Sequence, residues 1–160
     1  MTENAYLVGL RLAGKKAVVI GGGTVAQRRV PILIGAGADV HVVARAATPA
    51  VEALAEQEPG ITLQLRDYRE GDLEGAWYAI AATDDPAVNA AVVVEAESRH
   101  IFCVRADSAR EGTAVTPASF DHDPADTQLA ALANSATDAT KSPTRTNPIP
   151  AHLDDLSISL

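Results

Sequence analysis

Six residues constrain this chain more than any others: Gly21-Gly22-Gly23-Thr24-Val25-Ala26. They follow Lys16–Gly21 (KAVVIG), a short β-branched run that reads as a buried strand ending in glycine. They open Thr24–Ile34, which reads as a helix stopping at the glycine pair of Gly35-Ala36-Gly37. A strand, a glycine loop and a helix in that order are the context that the dinucleotide fingerprint G-x-G-x-x-G/A requires. Each small residue has a physical task. Gly21 permits the tight turn after the strand. Gly23, without a side chain, lets a pyrophosphate approach the backbone. Ala26 keeps the helix close to the sheet. Phosphates would then meet unpaired N–H groups at the positive end of the helix dipole. A glycine turn that binds nothing is the bland reading, and the strand–loop–helix context favours the functional one.

The alternation continues downstream. Asp39–Ala44 (DVHVVA) reads as a second strand. Thr48 caps a helix with Pro49 at its first position, and that helix stops before Pro59-Gly60. Ile61–Arg66 (ITLQLR) and Trp77–Ala81 (WYAIA) read as strands three and four, with Trp77 and Tyr78 as packing residues. Asp85-Pro86 starts a helix reaching about Arg99, and Ile101–Val104 (IFCV) is a fifth strand. Strands alternating with helices imply a parallel sheet. The expected fold is therefore α/β: a Rossmann-type open parallel sheet, order 3-2-1-4-5, with helices on both faces.

The last third differs. All eleven glycines lie between Gly9 and Gly112, whereas five of the nine prolines lie from Pro117 onward. The stretch ATDATKSPTRTNPIP offers little to bury against its ordering entropy. The division expected is a nucleotide-binding domain over 1–116 and a divergent, poorly ordered tail over 117–160.

Composition excludes several function classes. A formal net charge of −8 repels phosphate backbones, so nucleic acid is not expected as a partner. One cysteine, Cys103, rules out an internal disulfide and any cysteine-rich metal site. It sits mid-strand and reads as a core residue. The four histidines are scattered without metal-ligand spacing, so no metal is expected. The N-terminal stretch lacks a signal-peptide pattern, and no apolar run approaches the ~20 residues that span a bilayer. A cytoplasmic protein without membrane contact is the expectation.

At the carboxyl ends of the strands, where open α/β sheets bind ligands, the candidates are few. The acid that commonly holds the ribose of NAD is missing after the second strand: Asp39 comes too early, and Ala44, Arg45, Ala46 and Ala47 stand at the right end. Arg45 either meets the 2′-phosphate of NADP or is a solvated surface arginine. After the fourth strand, Thr83 either hydrogen-bonds the cofactor or joins Asp84 and Asp85 in capping the next helix, and both can hold. Asn89 reads as a surface residue of that helix. After the fifth strand, Asp107 is either a proton acceptor beside a bound nicotinamide or a turn aspartate. Arg105 pairs with substrate carboxylates, with Asp107, or with solvent.

Together these stretches resemble a known family. LVGLRLAGKKAVVIGGGTVAQRR, GAGADVHVVA, WYAIAATDDPAVN, and IFCVRAD followed by TAVTPAS are similar to the dehydrogenase domain of siroheme synthases and of free-standing precorrin-2 dehydrogenases, from about Leu7 to Ser119. The resemblance implies oxidation of the tetrapyrrole precorrin-2 to sirohydrochlorin with NAD+ as hydride acceptor. Some members also insert ferrous iron into the product. It implies a cofactor loop of Gly21, Gly22, Gly23, Thr24 and Val25, a ribose end at Arg45 and Ala46, and an Ala82-Thr83 segment lining the cofactor. The family's essential aspartate corresponds to Asp107. Members often carry Asn-Val-Val-Asp where this chain has Val104-Arg105-Ala106-Asp107. In the family the segment after the proline–serine motif builds a homodimer interface and then a helical region closing the substrate cleft. Here the chain turns instead to FDHDPADTQLAALANSATDATKSPTRTNPIP, the pattern of a truncated product or a piece of a longer enzyme. The alternative is a nucleotide-binding Rossmann module without catalysis.

Overall fold

The computed structural model describes residues 5–116. The expected tail over 117–160 lies outside the described residues. Five strands and three helices alternate: β1 (Lys16–Gly22), α1 (Thr24–Gly35), β2 (Asp39–Ala47), α2 (Pro49–Gln57), β3 (Ile61–Leu65), β4 (Tyr78–Ala81), α3 (Pro86–Ser98) and β5 (Phe102–Arg105). The strands form one parallel sheet in the order β3-β2-β1-β4-β5, the order expected from the sequence.

Side-chain alternation along β1 explains the two layers of helices. Ala17 and Val19 face one side, where Ala26, Val30 and Leu33 of α1 and Val51 of α2 cover them. Val18 and Ile20 face the other, against Val92, Val93 and Ala96 of α3. Strands buried on both faces must be apolar throughout, hence the β-branched runs. Each fully buried Val, Leu or Ile contributes about 1.5–3 kcal/mol. The caps follow the sequence: Thr48 accepts from the Val51 N–H at the start of α2, and Asp85 accepts from the Ala87 N–H at 2.9 Å at the start of α3.

Between β3 and β4 the chain makes a helix-free excursion on the α3 side. Leu73 is fully buried there. The loop is pinned by Glu95 of α3, a buried carboxylate that accepts from the Gly71 N–H at 2.9 Å, the Leu73 N–H at 3.3 Å and the Tyr68 hydroxyl, and that pairs with Arg99. Burial, with the Glu95 contact next, pushes the Tyr68 phenol up, so it stays a donor. Arg66 forks onto Asp72 through two 2.8 Å bonds, and Lys16 donates to the Glu74 carbonyl at 2.8 Å.

Two local expectations change. Trp77 is not packed in a buried strand. β4 begins at Tyr78, and Trp77 stands half exposed at the amino-terminal lip of the sheet with the Lys15 ammonium 4.3 Å from its ring centroid. β2 runs three residues beyond Ala44, because Gly22 pairs with Ala47 past an irregularity in β1.

Candidate functional site

All five strands are parallel, so their carboxyl ends meet on one edge. That edge gathers the glycine loop after β1, Arg45 and Ala46 at the end of β2, Ala82-Thr83 after β4 and Asp107 after β5. The loop lies between β2 and β4, where the strand order reverses direction, the usual ligand crevice of such sheets.

The three glycines divide the work. Gly21 has φ of +118°, and a Cβ there would stand 2.2 Å from the Ala82 carbonyl oxygen. A Cβ on Gly22 would stand 2.5 Å from the Ala46 carbonyl oxygen. These two residues allow β4 and β2 to close on the loop from either side. Gly23 is different: a Cβ there would meet nothing within 4 Å. It is the N-cap of α1 and provides no side-chain cap. The first-turn N–H groups of a helix lack intrahelical partners, and no acidic residue occupies that turn. An open, uncapped helix N-terminus with small residues before it suits a pyrophosphate. The residues present therefore fit a dinucleotide. Ala26 is fully buried against the sheet, as its place in the motif requires.

The loop after β4 owes its shape to Asn89, which sequence reasoning placed on the surface. Asn89 is fully buried. Its Oδ1 accepts from the Thr83 N–H at 3.0 Å and the Thr83 hydroxyl at 2.7 Å, and its Nδ2 donates to the Thr83 carbonyl at 3.0 Å. The Thr83 hydroxyl also accepts from the Asp85 N–H at 3.2 Å. The signal was present in the sequence: Asn89, Val92, Val93 and Ala96 follow the i, i+3, i+4, i+7 spacing of one helix face, and all four are buried.

Asp107 lies just beyond β5, partly exposed, and is held by Arg105 through bonds of 2.8 Å from Nε and 3.1 Å from Nη2. Arg105 also donates to Glu111 and to the Pro86 carbonyl, and its side chain is largely covered. Of the three readings of Arg105, the structure selects pairing with Asp107. Arg105, with Asn89 assisting, holds the Asp107 carboxyl below the usual carboxylate range. Asp107 is thus ionised at neutral pH but weakly basic while the pair persists. Arg45 is exposed, and its guanidinium pairs with Asp67, an acid just past β3 that sequence reasoning did not single out. Cys103 is a core residue, and burial pushes its thiol up to about 11. Among the described residues, no group of three or more His, Cys, Asp or Glu side chains could hold a metal ion. Nor is any described helix long and apolar enough to cross a membrane.

Fold and loop together define a dinucleotide-binding domain. The chain belongs to the family described as putative NAD(P)-binding, whose model matches residues 8–118. Over 114 residues, 71% of its length, it is 37% identical to siroheme synthase 2 of Klebsiella pneumoniae. Over the same length it is 40% identical to siroheme synthase of Citrobacter koseri and 39% identical to that of Pseudomonas entomophila. The chain spans about a quarter of the length of these relatives. Among solved structures it is similar to SirC, a precorrin-2 dehydrogenase, with a TM-score of 0.58 at 23% identity, covering 86% of this chain and 72% of that one. The similarity to siroheme synthases read from the motifs is borne out over 114 residues, and the SirC structure shares the fold.

Proposed function

We propose that this chain is a cytoplasmic NAD-dependent dehydrogenase acting on precorrin-2, the tetrapyrrole oxidised to sirohydrochlorin. The observation that carries the reading is the shared edge: an open helix N-terminus behind Gly23 after β1 and a carboxylate at Asp107 after β5, both at the carboxyl ends of the strands with β4 between them. The siroheme synthase relatives supply the substrate class.

Gly21, Gly22, Gly23, Thr24 and Val25 would hold the pyrophosphate, Arg45 and Ala46 the adenosine ribose, and Ala82 and Thr83 the side of the cofactor. Bound there, NAD+ supplies the hydride acceptor. The chain's own chemistry is to orient and to take a proton. Precorrin-2 loses a hydride and a proton in forming sirohydrochlorin, so each turnover yields one NADH and one H+. Asp107, ionised at neutral pH, accepts that proton. Arg105 restrains its basicity. A substrate carboxylate drawing Arg105 away would raise the Asp107 carboxyl toward its ordinary range, coupling substrate arrival to base strength.

The same Arg105–Asp107 pair favours a second reading, a nucleotide-binding module in which Asp107 is only a structural partner. The two part in one experiment. The full chain is mixed with NAD+ and precorrin-2 generated in situ, following sirohydrochlorin absorbance and NADH together. Equimolar appearance of both supports the dehydrogenase. NAD+ binding without turnover supports the module.

A further inference from the structure

We propose that Asp67 sets this chain's choice between the two nicotinamide dinucleotides, by occupying the Arg45 guanidinium that would otherwise take a 2′-phosphate. The proposal rests on the cofactor reading above and deepens it.

Arg45 stands where specificity is decided. Ala46, its neighbour, packs its carbonyl onto Gly22, and the Thr48 N–H donates to the Gly22 carbonyl at 2.9 Å. The end of β2 is thereby fastened to the nucleotide loop. An unpaired arginine at this point would read NADP, since a guanidinium forks onto phosphate oxygens. Here the Nε of Arg45 donates to Asp67 instead. Asp67 is not a loose surface acid. The Arg66 N–H donates to the Ala44 carbonyl at 2.8 Å, carrying the β2–β3 pairing to the residue before Asp67. Arg66 Nη1 donates to the Asp67 carbonyl at 3.0 Å, and Arg66 is itself clamped by Asp72. The backbone that presents Asp67 is therefore fixed from two sides.

The electrostatics point the same way. Asp85, at the start of α3, contributes a second negative charge within the field of Arg45. A 2′-phosphate adds negative charge beside Asp67 and must displace that carboxylate from its arginine. The neutral 2′-hydroxyl of NAD meets neither obstacle. Rejection by an occupied arginine is specificity by repulsion rather than by added attraction. The carboxylate at this edge comes from just past β3, 22 residues along the chain from Arg45, and not from the end of β2.

The test is calorimetric titration of NAD+ and NADP+ into the full chain, its Asp67→Asn variant, and the Asp67→Asn/Arg45→Ala double variant. Both side chains are exposed, so unchanged circular dichroism is expected. The proposal predicts a wild-type preference for NAD+. It predicts that the NADP+:NAD+ affinity ratio rises about two- to fivefold in Asp67→Asn, in line with exposed charge pairs. The double variant should lose that gain. An unchanged ratio in Asp67→Asn, or a gain that survives Arg45→Ala, overturns the proposal while leaving the cofactor site intact. A wild type that binds neither dinucleotide overturns the cofactor reading, and this proposal with it.

Discussion

Asn89→Ala removes the support of the β4–α3 loop without touching the sheet. In the wild type, Asn89 satisfies the Thr83 N–H and the Thr83 carbonyl, each at 3.0 Å, and receives the Thr83 hydroxyl at 2.7 Å. The hydroxyl has a second acceptor, the Asp85 carbonyl at 3.0 Å, so it is not stranded by the substitution. The two backbone groups are. A net hydrogen bond is worth roughly 1 kcal/mol, and a stranded buried group costs about 1–3 kcal/mol. Thr83 is half-buried, so water recovers part of this. The expected loss is about 2–3 kcal/mol, enough to leave a domain of ordinary stability folded. Urea unfolding should show a midpoint lower by about 1 M or more at unchanged slope. Thr83→Ala, which keeps both backbone bonds, should cost under about 1 kcal/mol. An Asn89→Ala loss below about 0.5 kcal/mol would mean that Asn89 does not hold the loop and would return it to the surface role expected of it in the sequence.

Other perturbations separate binding from folding. Gly23→Val should lower stability by no more than about 1 kcal/mol, because its Cβ meets nothing within 4 Å and the change is confined to the N-cap of α1, and should abolish NAD+ binding in calorimetry. Gly21→Val should fail at the folding stage, since its Cβ collides with the Ala82 carbonyl. Glu95→Ala should cost about 3 kcal/mol by stranding the groups that converge on it. Hydrogen exchange should then show lost protection at Gly71 and Leu73 with β4 still protected. Asp72 and Asp107 both titrate below the usual carboxylate range in the fold, each chiefly because of its arginine. Depressed carboxyls contribute stability that is fully present above their unfolded pKa of about 4 and is lost as pH falls through the folded values. The urea midpoint should therefore hold from neutral pH to about 5 and decline below about 4.

Most of the fold was legible because its signals are local. β-branched runs bounded by glycine, Thr48-Pro49 and Asp85-Pro86 at helix starts, and Gly35 and Gly37 at a helix end each act within a few residues. What escaped depends on partners far along the chain. Glu95 looks like a surface acid until the 68–73 loop folds onto it. Asp67 is one of several acids in RDYREGDLEG until β2–β3 pairing carries it to Arg45. Trp77 borders a strand in sequence, but its position at the sheet's lip leaves it half exposed. Asn89 is buried, not on the surface, and its helical spacing with Val92, Val93 and Ala96 carries that signal. The position of Asp107 just past β5 was legible in the sequence, and its pairing with Arg105 was one of three readings that only the folded loop separates.

If the edge carrying the glycine loop and Asp107 is a dehydrogenase site, Asp107 is the group that takes the proton. Asp107→Asn tests it most directly, because the amide keeps the shape and forfeits the base. Turnover of precorrin-2 with NAD+ and calorimetric NAD+ affinity are measured side by side for wild type and variant. A general base contributes roughly 10²–10⁴-fold, so turnover should fall by about two orders of magnitude or more with NAD+ affinity unchanged. Near-normal turnover in the variant, or loss of NAD+ binding together with turnover, would contradict the account.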